Sequence, residues 1–144
     1  MKKNTERGAT LMEIVVVIGI AGVLLGMGLP MTWDFYLTSE LRAERANAVQ
    51  YLRVARTRAL SNRGESAHGV ALVGANFVVF EGANYAGRNV MRDQAFPRSF
   101  GITATGTMEF VFAALSGRSA SASTTFMTVS GSTTVRVNTE GLVQ

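Results

Sequence analysis

The chain reads as an α+β protein in which one long N-terminal helix, apolar in its first half and amphipathic in its second, packs on an antiparallel β-sheet. Three observations predict this. An uncharged run extends from Ile14 to Trp33, and a stripe of apolar and small residues at helical spacing follows it. Beyond Gly64 the period changes to two, and turn residues separate the apolar runs.

Ile14–Met31 covers 18 residues, roughly 27 Å of helix at 1.5 Å per residue, against a hydrocarbon thickness of about 30 Å. Trp33 follows at interfacial depth, and Asp34 marks the return to water. The charge adjoining the run is Glu13. An acid at mid-bilayer costs up to roughly 2.5–3.5 kcal/mol, which makes Glu13 a candidate for a functional role. Gly19, Gly22, Gly26 and Gly28 each lower helix propensity by up to about 1 kcal/mol relative to Ala. Pro30 lacks an amide donor, so a kink or local break is expected there.

The second half of the helix carries Leu37, Leu41, Ala48, Leu52, Ala55 and Ala59 on one face. Arg42, Ala46, Gln50, Arg53 and Arg56 lie on the other. Arg63 and Gly64 suit a helix C-terminus, which closes the amphipathic helix over residues 34–63. Gly69–Val73 and Asn76–Glu81 then flank Gly74-Ala75, a pair suited to a two-residue hairpin. Gly82–Arg98 has few strand signals and reads as a loop. Ser99–Ala104 and Thr107–Phe112 flank Thr105-Gly106, and Thr124–Ser130 and Thr133–Asn138 flank Gly131-Ser132, so two more hairpins are expected. Gly141 and Leu142-Val143 permit a short last strand, giving a sheet over residues 69–143.

Length and composition bound the rest. With 144 residues there is room for the N-terminal segment and one domain with a modest core. Cysteine is absent, which excludes a disulfide framework, thiolate chemistry and Cys-based metal sites. The formal charge is +4. Both lysines, Lys2 and Lys3, stand with Arg7 and Glu6 in the first eight residues, where cations flanking a first membrane helix keep its end cytoplasmic.

A secretory signal peptide loses its apolar core on cleavage. Here the plausible processing point, Gly8–Ala9, precedes the apolar run, so the processed chain keeps it. This arrangement resembles the class III leader of type IV prepilins and type II secretion pseudopilins. The features in register are the basic leader, Gly8 at the cleavage point, Glu13 as fifth residue after it, Gly22 and Pro30. The first residue after the cleavage point is usually Phe in that family and is Ala9 here. A second resemblance, to minor pilins and pseudopilins of the GspH/FimT type, runs through Leu41-Arg42, Leu52–Leu60, Asn76–Phe80, Met108–Phe110 with Gly117, and Val135–Asn138 with Gly141.

The resemblance implies a type IV pilin fold: a leader over 1–8, a transmembrane and filament-core helix over 9–33, and a pilin domain over 34–144. It also implies cleavage after Gly8 and methylation of Ala9 by a prepilin peptidase. Leader removal takes three cations and one anion, leaving 11 arginines against nine acids. The implied location is the bacterial inner membrane, single-pass in lipid with the domain outside the cytoplasm, and then a pilus or a periplasmic pseudopilus. The implied partners are other pilin or pseudopilin subunits and an inner-membrane assembly platform. Within a filament, the Ala9 amine of a neighbouring subunit is the natural partner of Glu13.

Three other readings compete. A major pilin differs from a minor one by filament abundance alone. A DNA-capturing subunit fits the basic helix face of Arg42, Arg53 and Arg56, but the chain ends Glu140-Gly141-Leu142-Val143-Gln144 without a basic tail. A membrane-anchored enzyme lacks a catalytic constellation: the single histidine, His68, reads as a surface or turn residue. Glu65, Glu81, Asp93, Glu109 and Glu140 are scattered without metal-ligand spacing. Neither a metal nor a cofactor is therefore expected.

Overall fold

A computed structural model describes residues 10–144, with the side chains of residues 27–33 excepted. Leu11–Leu60 form one helix, α1, of 50 residues. The chain divides into two compact units, residues 1–36 and residues 37–144. In the first, α1 runs through Pro30 without the local break expected there. Gly22 has nothing within 4 Å of the position a Cβ would take. Every described side chain from Thr10 to Gly26 is exposed. Among the described residues no helix is long and apolar enough to cross a membrane. The uncharged run of the sequence continues, however, into residues 27–33, whose side chains lie outside that description.

The second unit is a helix on antiparallel sheets, the α+β arrangement the periodicity predicts. Strands β1 (His68–Val73), β2 (Asn76–Glu81), β3 (Gln94–Pro97) and β5 (Glu109–Phe112) form one sheet in the order β3-β2-β1-β5. Strands β4 (Thr103–Gly106), β6 (Ala122–Thr128) and β7 (Gly131–Val137) form a second, in the order β4-β6-β7. Two sheets therefore stand where one was expected.

The helical stripe supplies one wall of the core. Leu41, Ala48, Leu52, Ala55 and Ala59 are buried, while Leu37 is half-buried. They meet Val70, Phe77, Val79, Phe110 and Phe112 of the first sheet and Phe126, Val135 and Val137 of the second. The three alanines present little side-chain bulk to this wall. A ring series joins the layers: Tyr51 of α1 stacks on Phe96 at 4.4 Å and meets Phe77 at 5.4 Å, and Phe77 meets Phe126 edge-on at 6.1 Å. Without cysteines, this packing does the work of a staple.

The other face of the first sheet is also covered. Gly69, Ala71, Val78 and Phe80 alternate with the helix-facing residues, and the segment after β2 folds over them. Tyr85 meets Phe80 edge-on at 5.6 Å, and its amide donates to Glu109 Oε1 at 2.7 Å. Arg88 lies over the Tyr85 ring and pairs with Asp93 at 2.7 Å. This segment, expected to be a plain loop, thus contains a lid, a 3-10 turn at Val90–Arg92 and edge strand β3. Pro97 ends β3 at the sheet margin, where a missing donor is tolerated.

Two turn assignments change. Thr105-Gly106 does not join a hairpin, because β4 pairs with β6 (Gly106 opposite Thr124) and β5 pairs with β1. The β6–β7 hairpin closes through Val129-Ser130, two residues before the expected Gly131-Ser132, with Thr128 opposite Gly131. The last segment makes a single bridge, Val143 to Val137, rather than a strand. The helix ends slightly early, at Leu60, and its Ala59 carbonyl accepts from the Asn62 and Leu115 amides at 3.0 and 2.9 Å.

Glu44 breaks the apolar stripe. Its carboxylate is fully buried, with Oε1 accepting from Arg98 Nε at 2.9 Å and Oε2 from the Ser99 amide at 3.0 Å. Arg98 also reaches the Ile102 carbonyl at 3.3 Å. Residues 98–102 carry the chain from the first sheet to the second, so this cluster pins the crossover to the helix. Breaking a buried pair by removing one partner typically costs about 3–5 kcal/mol, because the other charge stays buried. We expect Glu44→Ala to lose about that much stability in urea unfolding, followed by the near-ultraviolet signal of the core tyrosine. Glu44→Leu combined with Arg98→Met should recover most of the loss. Gly69 is a second sensitive point: an added Cβ would lie 2.5 Å from the Phe110 carbonyl oxygen and from Phe80 Cζ. Gly69→Ala should cost about 1–3 kcal/mol by overpacking in the same assay.

Candidate functional site

The N-terminal turn of α1 is built by two polar residues ahead of the apolar run. Glu13 donates its amide to the Thr10 carbonyl at 3.0 Å and to Thr10 Oγ1 at 3.3 Å. Thr10 is therefore the N-cap, and Thr10-Leu11-Met12-Glu13 has the spacing of a capping box, with the acid at the third helical position. A carboxylate in the first turn also meets the positive end of the helix dipole. Glu13 is exposed. The sequence reading singled out the acid and missed the threonine that organises its turn. The signal was there in the four-residue spacing.

Leu11 and Met12 start a surface of exposed apolar side chains that continues through Ile14, Val15, Val16, Val17, Ile18, Ile20, Val23, Leu24 and Leu25. A helix apolar on one stripe packs on one partner; a helix apolar all round needs cover on every side. Gly8 and Ala9 lie outside the described residues, as does the ring of Pro30.

The arginines proposed from the sequence as one basic face divide. Arg42 and Arg53 are exposed, and Arg45 joins them. Arg56 is instead half-buried and donates through a terminal nitrogen to the Glu140 carbonyl at 3.3 Å. Arg118 and Glu140 pair at 3.1 Å on the surface. His68, read as a surface or turn residue, is buried at the start of β1: its Nε2 donates to the Arg63 carbonyl at 2.8 Å. Among the described residues no group of three or more His, Asp or Glu is placed to hold a metal ion. The core leaves a void of only about 10 Å³ between Ala48, Leu52, Phe77 and Phe126, space for about one water molecule and not for an organic ligand.

No protein-family model, no curated protein and no solved structure matches this chain.

The cap gives a direct prediction. Removing an N-cap hydroxyl costs about 1 kcal/mol of helix stability. In Thr10→Ala the amide of Glu13 should exchange with solvent roughly five times faster, as read by hydrogen-exchange mass spectrometry or NMR of the full chain in micelles. Amides near Leu52, in the core-packed half of α1, should not change.

Proposed function

We propose that the protein is a structural subunit of a filament of the type IV pilus or type II secretion class, a minor pilin or pseudopilin. On this reading it is processed between Gly8 and Ala9, held in lipid by its N-terminal helix, and assembled through that helix. The observation that carries the proposal is the exposed apolar surface from Leu11 to Leu25, headed by a capped turn holding one acid. A bilayer supplies cover on every side, and so does a bundle of like helices. The leader features around Gly8 support the same reading from the sequence.

Glu13 has two roles within it. As the acid of the first turn it stabilises the helix start. In a bundle its carboxylate meets the Ala9 amine of the next subunit, which stays cationic after methylation. A buried pair adds little net stability, but a subunit out of register leaves both charges unpaired at a cost of about 3–5 kcal/mol. The pair thus selects the axial position of the incoming subunit.

The test compares membrane and filament fractions for wild type, Glu13→Ala and Glu13→Asp. Membrane insertion of Glu13→Ala should match or exceed wild type, because an acid no longer has to be desolvated. Its filament incorporation should fall at least about tenfold, since 1.4 kcal/mol already corresponds to that factor. Glu13→Asp, one methylene shorter, should fall between. Equal incorporation of wild type and Glu13→Ala would refute the register role. Intact-mass measurement should find an amino terminus at methylated Ala9, and Gly8→Val should retain the leader. A chain still beginning at Met1 beside an active prepilin peptidase would point instead to an uncleaved anchor.

A further inference from the structure

The C-terminal end of α1 and the adjoining edge of the first sheet enclose a cleft of about 420 Å³, lined by Arg58, Arg63, His68, Phe80, Glu81, Arg92 and Gln94. Three arginines and one carboxylate line it. That carboxylate, Glu81, is already engaged with Arg92 at 2.8 Å. Arg58 is held by the neutral Gln94 side chain at 2.6 Å, leaving its charge uncompensated. Arg63 has no side-chain partner among the described residues. Burial, and after it the like charge of Arg63, lower the Arg58 pKa from its ordinary value.

Asn62, Gly64 and Glu65 all have positive φ (49°, 69° and 53°), a form that asparagine and glycine adopt readily at a helix end and that is unfavourable for Glu65. Gly64 presses on the Glu81–Arg92 pair so closely that a Cβ would lie 2.6 Å from Glu81 Oε1 and 2.9 Å from an Arg92 terminal nitrogen. Positive-φ residues persist when surrounding contacts over-determine them, and they cluster at ligand clamps and active sites. The bond from His68 to the Arg63 carbonyl is one such contact. Since a carbonyl can only accept, Nε2 carries the proton. Nδ1 of the same ring is buried without a hydrogen-bond partner.

We propose that this cleft binds a phosphate group, free or carried as a monoester on a small molecule, between Arg58, Arg63 and Arg92. A dianion offsets the two uncompensated cations, and its oxygens accept from the planar guanidinium forks. The cleft volume lies within the range of small-molecule sites and exceeds what a bare phosphate fills, which leaves room for an attached organic group. Exposed Arg42, Arg45 and Arg53 on α1 do not line this cleft. The site is therefore distinct from a general basic face.

Calorimetric titration of the full chain in uncharged detergent, in a phosphate-free buffer, tests this with two probes: inorganic phosphate and glycerol phosphate. Saturable one-to-one binding of at least one probe is expected. Tighter binding of glycerol phosphate assigns the natural ligand to the monoesters, and equal or tighter binding of inorganic phosphate assigns it to the free ion. Arg63→Gln and Arg58→Gln should each weaken binding at least about tenfold, the loss expected for a charge-assisted hydrogen bond. Arg118→Gln removes the same charge outside the cleft and should leave affinity within about twofold. Arg63 is exposed and makes no side-chain bond among the described residues, so its variant retains the fold; near-ultraviolet circular dichroism checks this. Absence of saturable binding by both probes would overturn the proposal. So would a loss in Arg118→Gln as large as that in Arg63→Gln, which reports overall charge alone.

Discussion

The second unit depends on where the carboxylate of Glu44 goes. It sits in the same helical stripe as Leu41, Ala48 and Leu52, where any uncompensated charge would exclude close packing. Both oxygens are satisfied, one by Arg98 and one by the Ser99 amide. The partner segment is the passage from β3 to β4, which takes the chain from one sheet to the other. An apolar residue at position 44 could pack in many ways. A buried carboxylate has few acceptable positions, and the one it takes requires Arg98 and Ser99 beside the helix. Buried pairs rarely add much stability; this one restricts which crossover the chain can adopt.

The aromatic rings reinforce the same junction. The Arg98 guanidinium lies 5.6 Å from the Phe77 ring centre and 5.7 Å from that of Phe126. Those rings belong to different sheets and meet each other edge-on. One arginine therefore contacts the helix by charge and both sheets through their aromatic faces. Tyr51 extends the series to Phe96, on the edge strand just before the crossover. Helix, edge strand, crossover and second sheet share one set of neighbours, which is how a domain without disulfides holds two short sheets in place.

The local periods of the sequence made the helix legible, and the non-local choices stayed hidden. Leu41, Ala48, Leu52, Ala55 and Ala59 fell on the expected face because each needs only the 3.6-residue repeat and an apolar surface. The β1–β2 turn was legible because Gly74-Ala75 carries its own conformational signal. Glu44 was invisible for the opposite reason: its burial depends on an arginine 54 residues away. Thr105-Gly106 looked like a hairpin turn, yet β4 and β5 take partners in different sheets. Nothing in the four residues of either strand states that preference. His68 was misplaced because polarity suggested the surface, whereas the Arg63 carbonyl and the sheet alternation bring it inside. At the candidate assembly site the acid stood out by its isolation, while Thr10 needed the cap spacing to be noticed.

The two halves of α1 meet opposite physical requirements, and this separates adhesion from alignment in the proposed assembly. Apolar burial is nearly non-directional and scales with area, at roughly 25 cal/mol per Å². A surface apolar on all sides gains almost as much against lipid as against other helices, and it gains it at any axial shift. Such a surface holds a subunit but does not place it. Placement has to come from a group whose energy changes sharply over one helical turn, and a charge in a low-dielectric surround is such a group. In the exposed half, the charge at the head of the apolar run is Glu13, fixed in position by the Thr10 cap. In the packed half, Glu44 does for the crossover what Glu13 is proposed to do between subunits. On that proposal each acid adjoins apolar residues, contributing little to how tightly the parts adhere and much to where they sit.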